Sequence, residues 1–199
     1  MNTAEKKAVI CLAGLTACGK STVARRLARK YGLEYVSGGT VLKELALNMR
    51  YKAKDKGWWE TNEGTRFLEE RLSDPQFDKK VDSQLLEWAD RGNVVLDSWT
   101  MPWLLKQGFK IWLEVSPKER AKRLARRDSI NLEDADRAIY AKDGKTKMIY
   151  ENLYGFKLGE DYSPFDLILN SELLTSDQVF EVLSLVIDHL IFGMKTMKL

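Results

Sequence analysis

An eight-residue glycine loop near the amino terminus constrains this chain more than any other feature. Residues 14–21 read GLTACGKS and satisfy the pattern G-x-x-x-x-G-K-S in full. An apolar run at 8–13 precedes the loop, and an amphipathic segment at 20–30 follows it. This order of strand, loop and helix is the setting in which such a loop turns its backbone N–H groups towards phosphates. The loop therefore predicts a nucleoside triphosphate site.

The chemistry of such loops assigns parts to individual residues. Lys20 is expected to reach the β- and γ-phosphates of ATP, and the Ser21 hydroxyl is expected to ligate Mg²⁺. A thiol near a helix start can have a lowered pKa, but we interpret Cys18 as a small side chain that the loop tolerates. The predicted ATP-binding residues are Gly14, Leu15, Thr16, Ala17, Cys18, Gly19, Lys20, Ser21 and Thr22.

Apolar runs alternate with helical segments along the rest of the chain. Buried strands are predicted at 8–13, 34–37, 93–97, 109–115 and 166–169. Helices are predicted at 20–30, 41–51, 77–91, 117–128 and 176–191, and a helical hairpin at 132–154. The alternation predicts a three-layer α/β fold of the P-loop kinase type, with a five-stranded parallel sheet, helices on both faces and a helical lid.

Composition limits the expected partners and location. A chain of 199 residues fits a single domain, and a net charge of +3 is too mild to indicate nucleic acid binding. No window approaches the roughly 20 apolar residues of a membrane span. Cys11 and Cys18 lie in unlike settings, which favours a reducing compartment. We therefore expect a cytoplasmic monomer or homodimer that acts on a small molecule.

Two further features predict phosphoryl transfer. Asp97 ends the third apolar strand and is predicted to be catalytic, as the acceptor of a hydroxyl proton or as a Mg²⁺ ligand together with Ser21. In the basic segment at 117–128, Arg120, Arg123 and Arg127 are spaced three and four apart and so share one helix face. Arginine forks suit the oxygens of a transferring phosphoryl group, and Arg123 and Arg127 are predicted to be catalytic.

Four stretches together resemble archaeal-type cytidylate kinases. They are GLTACGKSTVARRLARKYGLEYVSGGTVLKELA, FDKKVDSQLLEWADRGNVVLD, FKIWLEVSPKERAKRLARRD and IYENLYGFKL. The resemblance extends roughly over 9–187. It implies ATP as donor, CMP or dCMP as acceptor, an acceptor-binding segment at about 38–75 and a lid at about 118–155.

The acceptor half departs from the pattern of that family. Residues 37–40 read SGGT, where the family carries an acidic residue, and 97–99 read DSW, where it carries Glu-Gly-Arg with an arginine for the acceptor phosphate. Lys142-Asp143 stands in place of an Arg-Glu pair on the lid. By position, the predicted acceptor-binding residues are Gly39, Thr40, Lys43, Trp99 and Lys142.

These departures leave three functions open. In the favoured one, another cation holds a nucleotide phosphate, with Lys43, Arg50, Arg66 and Arg71 as candidates. In the second, the acceptor is an unphosphorylated hydroxyl of a nucleoside, sugar or other metabolite. In the third, the protein is an ATP-binding sensor or an RNA-associated module with little turnover. Trp58, Trp59, Trp99 and Trp103 fall where an acceptor base would stack.

Overall fold

The centre of the molecule is one parallel sheet, in a computed structural model that describes residues 7–53 and 57–193. Its strands are β1 (Val9–Ala13), β2 (Glu34–Ser37), β3 (Val94–Asp97), β4 (Phe109–Glu114) and β5 (Leu167–Asn170). They lie in the order β2-β3-β1-β4-β5, and every pairing is parallel. The predicted five-stranded parallel sheet is confirmed.

Helices cover both faces of this sheet. Those described are α1 (Lys20–Tyr31), α2 (Gly38–Asn48), α3 (Asn62–Ser73), α4 (Gln76–Arg91), α5 (Met101–Leu104), α6 (Pro117–Asp128), α7 (Leu132–Tyr154) and α8 (Ser176–Leu190), with a 3-10 turn at Trp58–Glu60. The central strands are apolar on both sides because both sides are covered. Residues Ile10 and Leu12 of β1 pack with α1 and α8. Cys11, between them, packs on the other side with α2 and α4.

The prediction of a helical hairpin within 132–154 was wrong. The segment is one continuous helix, α7, whose buried residues Ala135, Ile139 and Thr146 are spaced along a single stripe. It contains no proline, so nothing forces a break in its hydrogen bonding. The hairpin is formed instead by α6 and α7, joined at 129–131 and packed through Leu124, Ile139 and their neighbours.

The polar stretch at 52–73 is more ordered than its sequence indicates. Helix α3 fills its second half, and the side chain of Thr61 caps it by accepting a hydrogen bond from the Gly64 N–H at 3.2 Å. Trp58 is 2% exposed within an aromatic cluster that includes Tyr51 and Phe67. Part of this stretch, 54–56, lies outside the described residues.

Leu96→Ala should destabilise the protein by about 2–5 kcal/mol, since the side chain is fully buried in a central strand and the change leaves a cavity. The free energy of unfolding from urea titration measures this loss. Leu173→Ala is the matched control, because Leu173 is 92% exposed and should give a change close to zero. Equal effects of the two changes would contradict the packing described above.

Candidate active site

The glycine loop lies at the carboxyl end of β1, between β1 and the start of α1. Gly14 has a φ of 149°, and a Cβ there would lie 2.6 Å from both the Cys18 Sγ and the Leu113 carbonyl oxygen. Only glycine fits a backbone this close to its neighbours. The loop then turns through Ala17 and Gly19, with φ values of 63° and 99°. These turns bring its N–H groups to the front of α1.

Several backbone donors of this loop have no acceptor within the part of the chain that the structure describes. Among the described residues, the N–H groups of Ala17, Gly19 and Ser21 have no acceptor, whereas the Cys18 N–H donates to the Leu15 carbonyl at 3.2 Å. Unused N–H groups at a helix start, with the positive end of the helix dipole, form a natural anion site. The arrangement fits the phosphates of a nucleotide.

Cys18 is a buried part of this loop and not a reactive thiol. Its side chain is 2% exposed, and burial raises its pKa above the usual value although the charge of Lys20 acts in the opposite direction. A thiol with a raised pKa is a poor nucleophile at neutral pH. Cys11 is also free and buried, so neither cysteine forms a disulfide.

Asp97 lies at the end of β3, beside both β1 and β2. In the register of the sheet it is paired with Leu12 and Ser37. Its Oδ2 accepts a hydrogen bond from the Tyr35 hydroxyl at 2.9 Å, and the residue is 3% exposed. A cation ligated by the Ser21 hydroxyl and one carboxylate, with phosphates and water completing the shell, matches the preference of Mg²⁺. These two side chains fit that ion, with Tyr35 orienting the carboxylate.

Trp99 lies against the lysine of the glycine loop. The Lys20 Nζ is 5.3 Å from the centroid of the Trp99 ring, and the ring meets Tyr150 of α7 edge-on. The neighbouring residues hold the Trp99 loop firmly, since the Ser98 hydroxyl accepts hydrogen bonds from the backbone of Thr100 and Met101. Trp99 therefore lies between Lys20 of the glycine loop and Tyr150 of α7.

The three arginines of α6 bind different partners. Arg120 is 4% exposed, and its guanidinium is taken up by a buried ion pair with Asp143 at 2.6 Å. Arg123 lies against the loop, with hydrogen bonds to the Cys18 and Ser171 carbonyls at 3.2 and 3.1 Å. Arg127 is half exposed and pairs with Asp128 at 2.6 Å. Shared helix spacing did not predict which arginines the fold buries.

The predicted acceptor-binding residues lie around the same edge of the sheet. Helix α2 begins at Gly38, whereas the sequence predicted a helix that begins at 41. Gly39 and Thr40 therefore belong to the first turn of α2. A Cβ at Gly38 would lie 3.8 Å from the Asp97 carbonyl oxygen, which sets the start of α2 beside Asp97. Lys43 follows on the same helix, half buried.

Lys142 lies on α7, and its Nζ is 5.0 Å from the centroid of the Trp59 ring. This contact joins α7 to the 3-10 turn of the acceptor segment. Lys145, one turn further along α7, pairs with Glu69 of α3 at 2.9 Å. Helix α7 therefore packs against the acceptor segment as well as against the glycine loop.

Of the other candidate phosphate-binding cations, two have acidic surroundings. Arg71 is 3% exposed and bound by both carboxylate oxygens of Asp78, at 2.6 and 3.1 Å. Arg66 lines a surface cavity of about 380 Å³ together with Glu69, Glu70 and other residues. Carboxylates in these positions compete with a phosphate for the guanidinium groups. Arg50 is exposed at the end of α2.

Two of the four candidate tryptophans are committed to packing. Trp58 is buried in the core, as described above, and Trp103 stacks on Phe156 with ring centroids 4.0 Å apart while its Nε1 donates to Asp161. Trp59 and Trp99 remain half buried at the edge of the acceptor side. Trp103 is half buried as well, but one face of its ring is covered by Phe156.

A buried carboxylate supports the loop that carries Trp99. Asp82 of α4 accepts hydrogen bonds from the Thr100 and Tyr154 hydroxyls. Burial raises the pKa of Asp82 to about 6, although these two hydrogen bonds act to lower it. The carboxylate ties α4 and α7 to the segment after β3.

Sequence reasoning missed two residues of this site. Tyr35 orients Asp97, and a tyrosine within a buried strand gives no distinct signal of that role. Asp143 was noted only as the counterpart of an acidic lid residue, yet it contacts the glycine loop. The sequence feature that could have identified Asp143 is its place on the stripe of α7 whose other members are uncharged.

A glycine loop with its lysine at the edge of a five-stranded parallel sheet, and a helical pair packed over it, defines a P-loop kinase. The comparisons agree and narrow the class. The sequence matches the cytidylate kinase-like family over residues 9–173. This chain belongs to that family.

Curated relatives cover nearly the whole chain. The cytidylate kinase of Pyrococcus horikoshii is 33% identical over 185 residues, 92% of this chain and 90% of that protein. That of Methanocaldococcus jannaschii is 29% identical over 187 residues, 92% of this chain and 98% of that protein. A crystal structure of shikimate kinase from Bacteroides thetaiotaomicron shares the fold, with 18% identity, a TM-score of 0.56 and coverage of 92% and 98%.

Two absences hold for the residues that the structure describes. None of these helices is long and apolar enough to cross a membrane. No group of three or more metal-ligating side chains is found within 7–53 and 57–193.

Lys20→Ala should abolish phosphoryl transfer and leave the free energy of unfolding nearly unchanged, because Lys20 is partly exposed and serves the site without a core contact. Coupled ADP release and urea titration measure the two effects. Lys122→Ala, on the exposed side of α6, is the control and should keep normal turnover. Near-normal turnover of the Lys20 variant would contradict the loop assignment.

Proposed function

We propose that this protein transfers the γ-phosphoryl group of ATP, bound with Mg²⁺, to CMP, dCMP or a related nucleotide. The observation that carries the proposal is the loop whose unused N–H groups and lysine face the carboxyl edge where Asp97 and the start of α2 meet. Membership of the cytidylate kinase-like family supports the nucleotide as acceptor. The two free, buried cysteines support a reducing compartment such as the cytoplasm.

In this proposal the residues around ATP stabilise negative charge, and the residues around the acceptor orient the attacking oxygen. Loop N–H groups and Lys20 would hold the β- and γ-phosphates, and Ser21 and Asp97 would hold Mg²⁺, which would supply positive charge to the phosphates. Arg123 and Arg127 on the lid are proposed to gather the charge that develops during transfer. A nucleotide acceptor attacks through a phosphate oxygen, so Asp97, whose carboxylate is held by Tyr35, is proposed to act as a base only for an acceptor that attacks through a hydroxyl.

The acceptor is proposed to bind between α2, Trp99 and α7. Gly39 and Thr40 present the N-terminal turn of α2, which favours an anionic group there. Lys43 and Lys142 supply positive charge on the two sides, and the Trp99 ring supplies a stacking surface for a base. Because Trp99 replaces the family's phosphate-binding arginine, we expect slow turnover of CMP compared with other cytidylate kinases.

A second acceptor class has its own support. Trp99 stands where the family carries a phosphate-binding arginine, and the buried Arg71 is neutralised by Asp78. An acceptor without a phosphate would not need a cation at either position. The alternative function is therefore phosphorylation of an unphosphorylated hydroxyl on a nucleoside, sugar or other metabolite.

ADP release across a panel of nucleoside monophosphates, nucleosides, sugars and other alcohols tests the proposal. We expect CMP or dCMP to give the highest kcat/KM of the panel, because membership of the cytidylate kinase-like family favours a nucleotide acceptor. Transfer only to an uncharged alcohol would establish the second function. ATP binding without turnover of any acceptor would support a sensor and contradict both kinase proposals.

Trp99→Arg should lower the KM for CMP about tenfold or more, since a bidentate arginine strengthens phosphate capture by about 2–5 kcal/mol where the site is desolvated. The same change should harm the use of an uncharged acceptor. Steady-state kinetics with both acceptor types measures the split. Trp99→Phe is the control, which keeps an aromatic ring and should give no such gain with CMP. Efficient use of CMP by the parent protein would mean that another cation already performs the arginine's task.

A further inference from the structure

A buried ion pair between α6 and α7 is hydrogen-bonded to both the N–H and the C=O of one residue in the glycine loop. Arg120 of α6 donates through Nη1 to the Asp143 Oδ2 at 2.6 Å and to the Thr16 carbonyl at 3.0 Å. Asp143 of α7 accepts the Thr16 N–H through its other oxygen, at 3.3 Å. Arg120 and Asp143 are 4% and 6% exposed. The pair therefore holds the N–H and the C=O of the same residue.

These hydrogen bonds fix the direction of the next N–H group in the loop, that of Ala17. In a planar trans peptide the C=O of one residue and the N–H of the next point in opposite directions. With the Thr16 carbonyl directed at Arg120, the Ala17 N–H must point away from the guanidinium. Ala17 has a φ of 63°, which costs a residue other than glycine about 1 kcal/mol or more. Its N–H is one of the loop donors without an acceptor among the described residues.

More polar groups are buried around Thr16 than packing alone requires. The Thr16 Oγ1 and the Arg120 Nε are buried and have no partner in the part of the chain that the structure describes. Buried ion pairs are also weak sources of stability compared with apolar side chains of the same size. A purely structural contact between α6, α7 and the loop would be served as well by apolar residues.

We propose that Arg120 and Asp143 are positioning residues of the ATP site. Through the peptide groups of Thr16 they hold the loop in its phosphate-binding conformation before the nucleotide arrives, and they tie the α6–α7 pair to that conformation. This inference rests on the proposed ATP site and not on the identity of the acceptor. Neither residue touches the nucleotide, so loss of the pair should weaken nucleotide affinity and leave the fold intact.

The test is the affinity for Mg·ATP, measured by titration calorimetry on the full chain without any acceptor. The double variant Arg120→Met/Asp143→Leu replaces the pair by apolar side chains and should weaken ATP binding about tenfold, which is about 1.4 kcal/mol. Its melting temperature should fall somewhat, because the Thr16 N–H and C=O lose their buried partners, but it should still unfold in one cooperative transition above the assay temperature. A parent-like ATP affinity in this variant would overturn the inference.

A second buried ion pair provides the matched control. Arg71 and Asp78 are 3% and 2% exposed and 2.6 Å apart, and they have no contact with the glycine loop among the described residues. Arg71→Met/Asp78→Leu should bind ATP with parent-like affinity. Equal losses of ATP affinity in the two double variants would show a general effect of removing buried charge, and would overturn the positioning role.

Two conservative variants protect the test against misfolding. Arg120→Lys keeps the charge opposite Asp143 but lacks the arginine fork that reaches both Asp143 and the Thr16 carbonyl, so ATP affinity should fall while the protein stays folded. Asp143→Glu keeps the carboxylate and should retain at least part of the parent's affinity. Parent-like affinity in Arg120→Lys, or a loss in Asp143→Glu as large as in the double variant, would contradict the proposal.

The failure of the inference is distinguishable from that of the proposed function. A parent protein that does not bind Mg·ATP would overturn the donor assignment and the inference with it. Normal binding by the parent with unaffected variants would overturn the inference alone. Because no acceptor is present in this experiment, a wrong choice of acceptor leaves its outcome unchanged.

Discussion

The site depends on how closely the glycine loop approaches the neighbouring strand. Gly14 leaves no room for a Cβ against the Leu113 carbonyl, so the end of β1 and the end of β4 are held together by backbone contact. From this fixed point the chain turns through Ala17 and Gly19 into α1. The direction of the unused N–H groups follows from that path. Helices α6 and α7 then contact the loop at Thr16 and Cys18.

The acceptor side is organised by buried acids and their partners. Asp78 neutralises Arg71, Asp82 holds the Thr100 and Tyr154 hydroxyls, and Asp97 holds the Tyr35 hydroxyl. Such networks fix geometry more than they add stability, because each buried charge needs its partners. They fasten α3, α4 and α7 around the segment after β3. The Trp99 side chain is thereby presented to Lys20 from a rigid loop.

Helix α6 illustrates the limit of reasoning from periodicity. Spacing places Arg120, Arg123 and Arg127 on one face, and that much is a property of any helix. Which part of the face meets another helix depends on α7, whose Asp143 takes Arg120 into the interior. Likewise, the buried stripe of α7 runs through residues on both sides of its midpoint, so the helix continues where the sequence predicted a turn.

The sequence by itself determined the phosphate loop, the parallel sheet and the order of its elements. A strand, a glycine loop and a helix can each be recognised from a short stretch of sequence. Apolar runs of strand length become buried wherever helices can cover them. Only the tertiary structure decided which tryptophans are committed to the core, which arginines are neutralised and which acid contacts the loop. Trp103, Arg120 and Asp143 acquire their partners from other elements of the fold, at Phe156, Asp143 and Thr16. Contacts of this kind depend on the packing of whole elements, and no local pattern of residues encodes them.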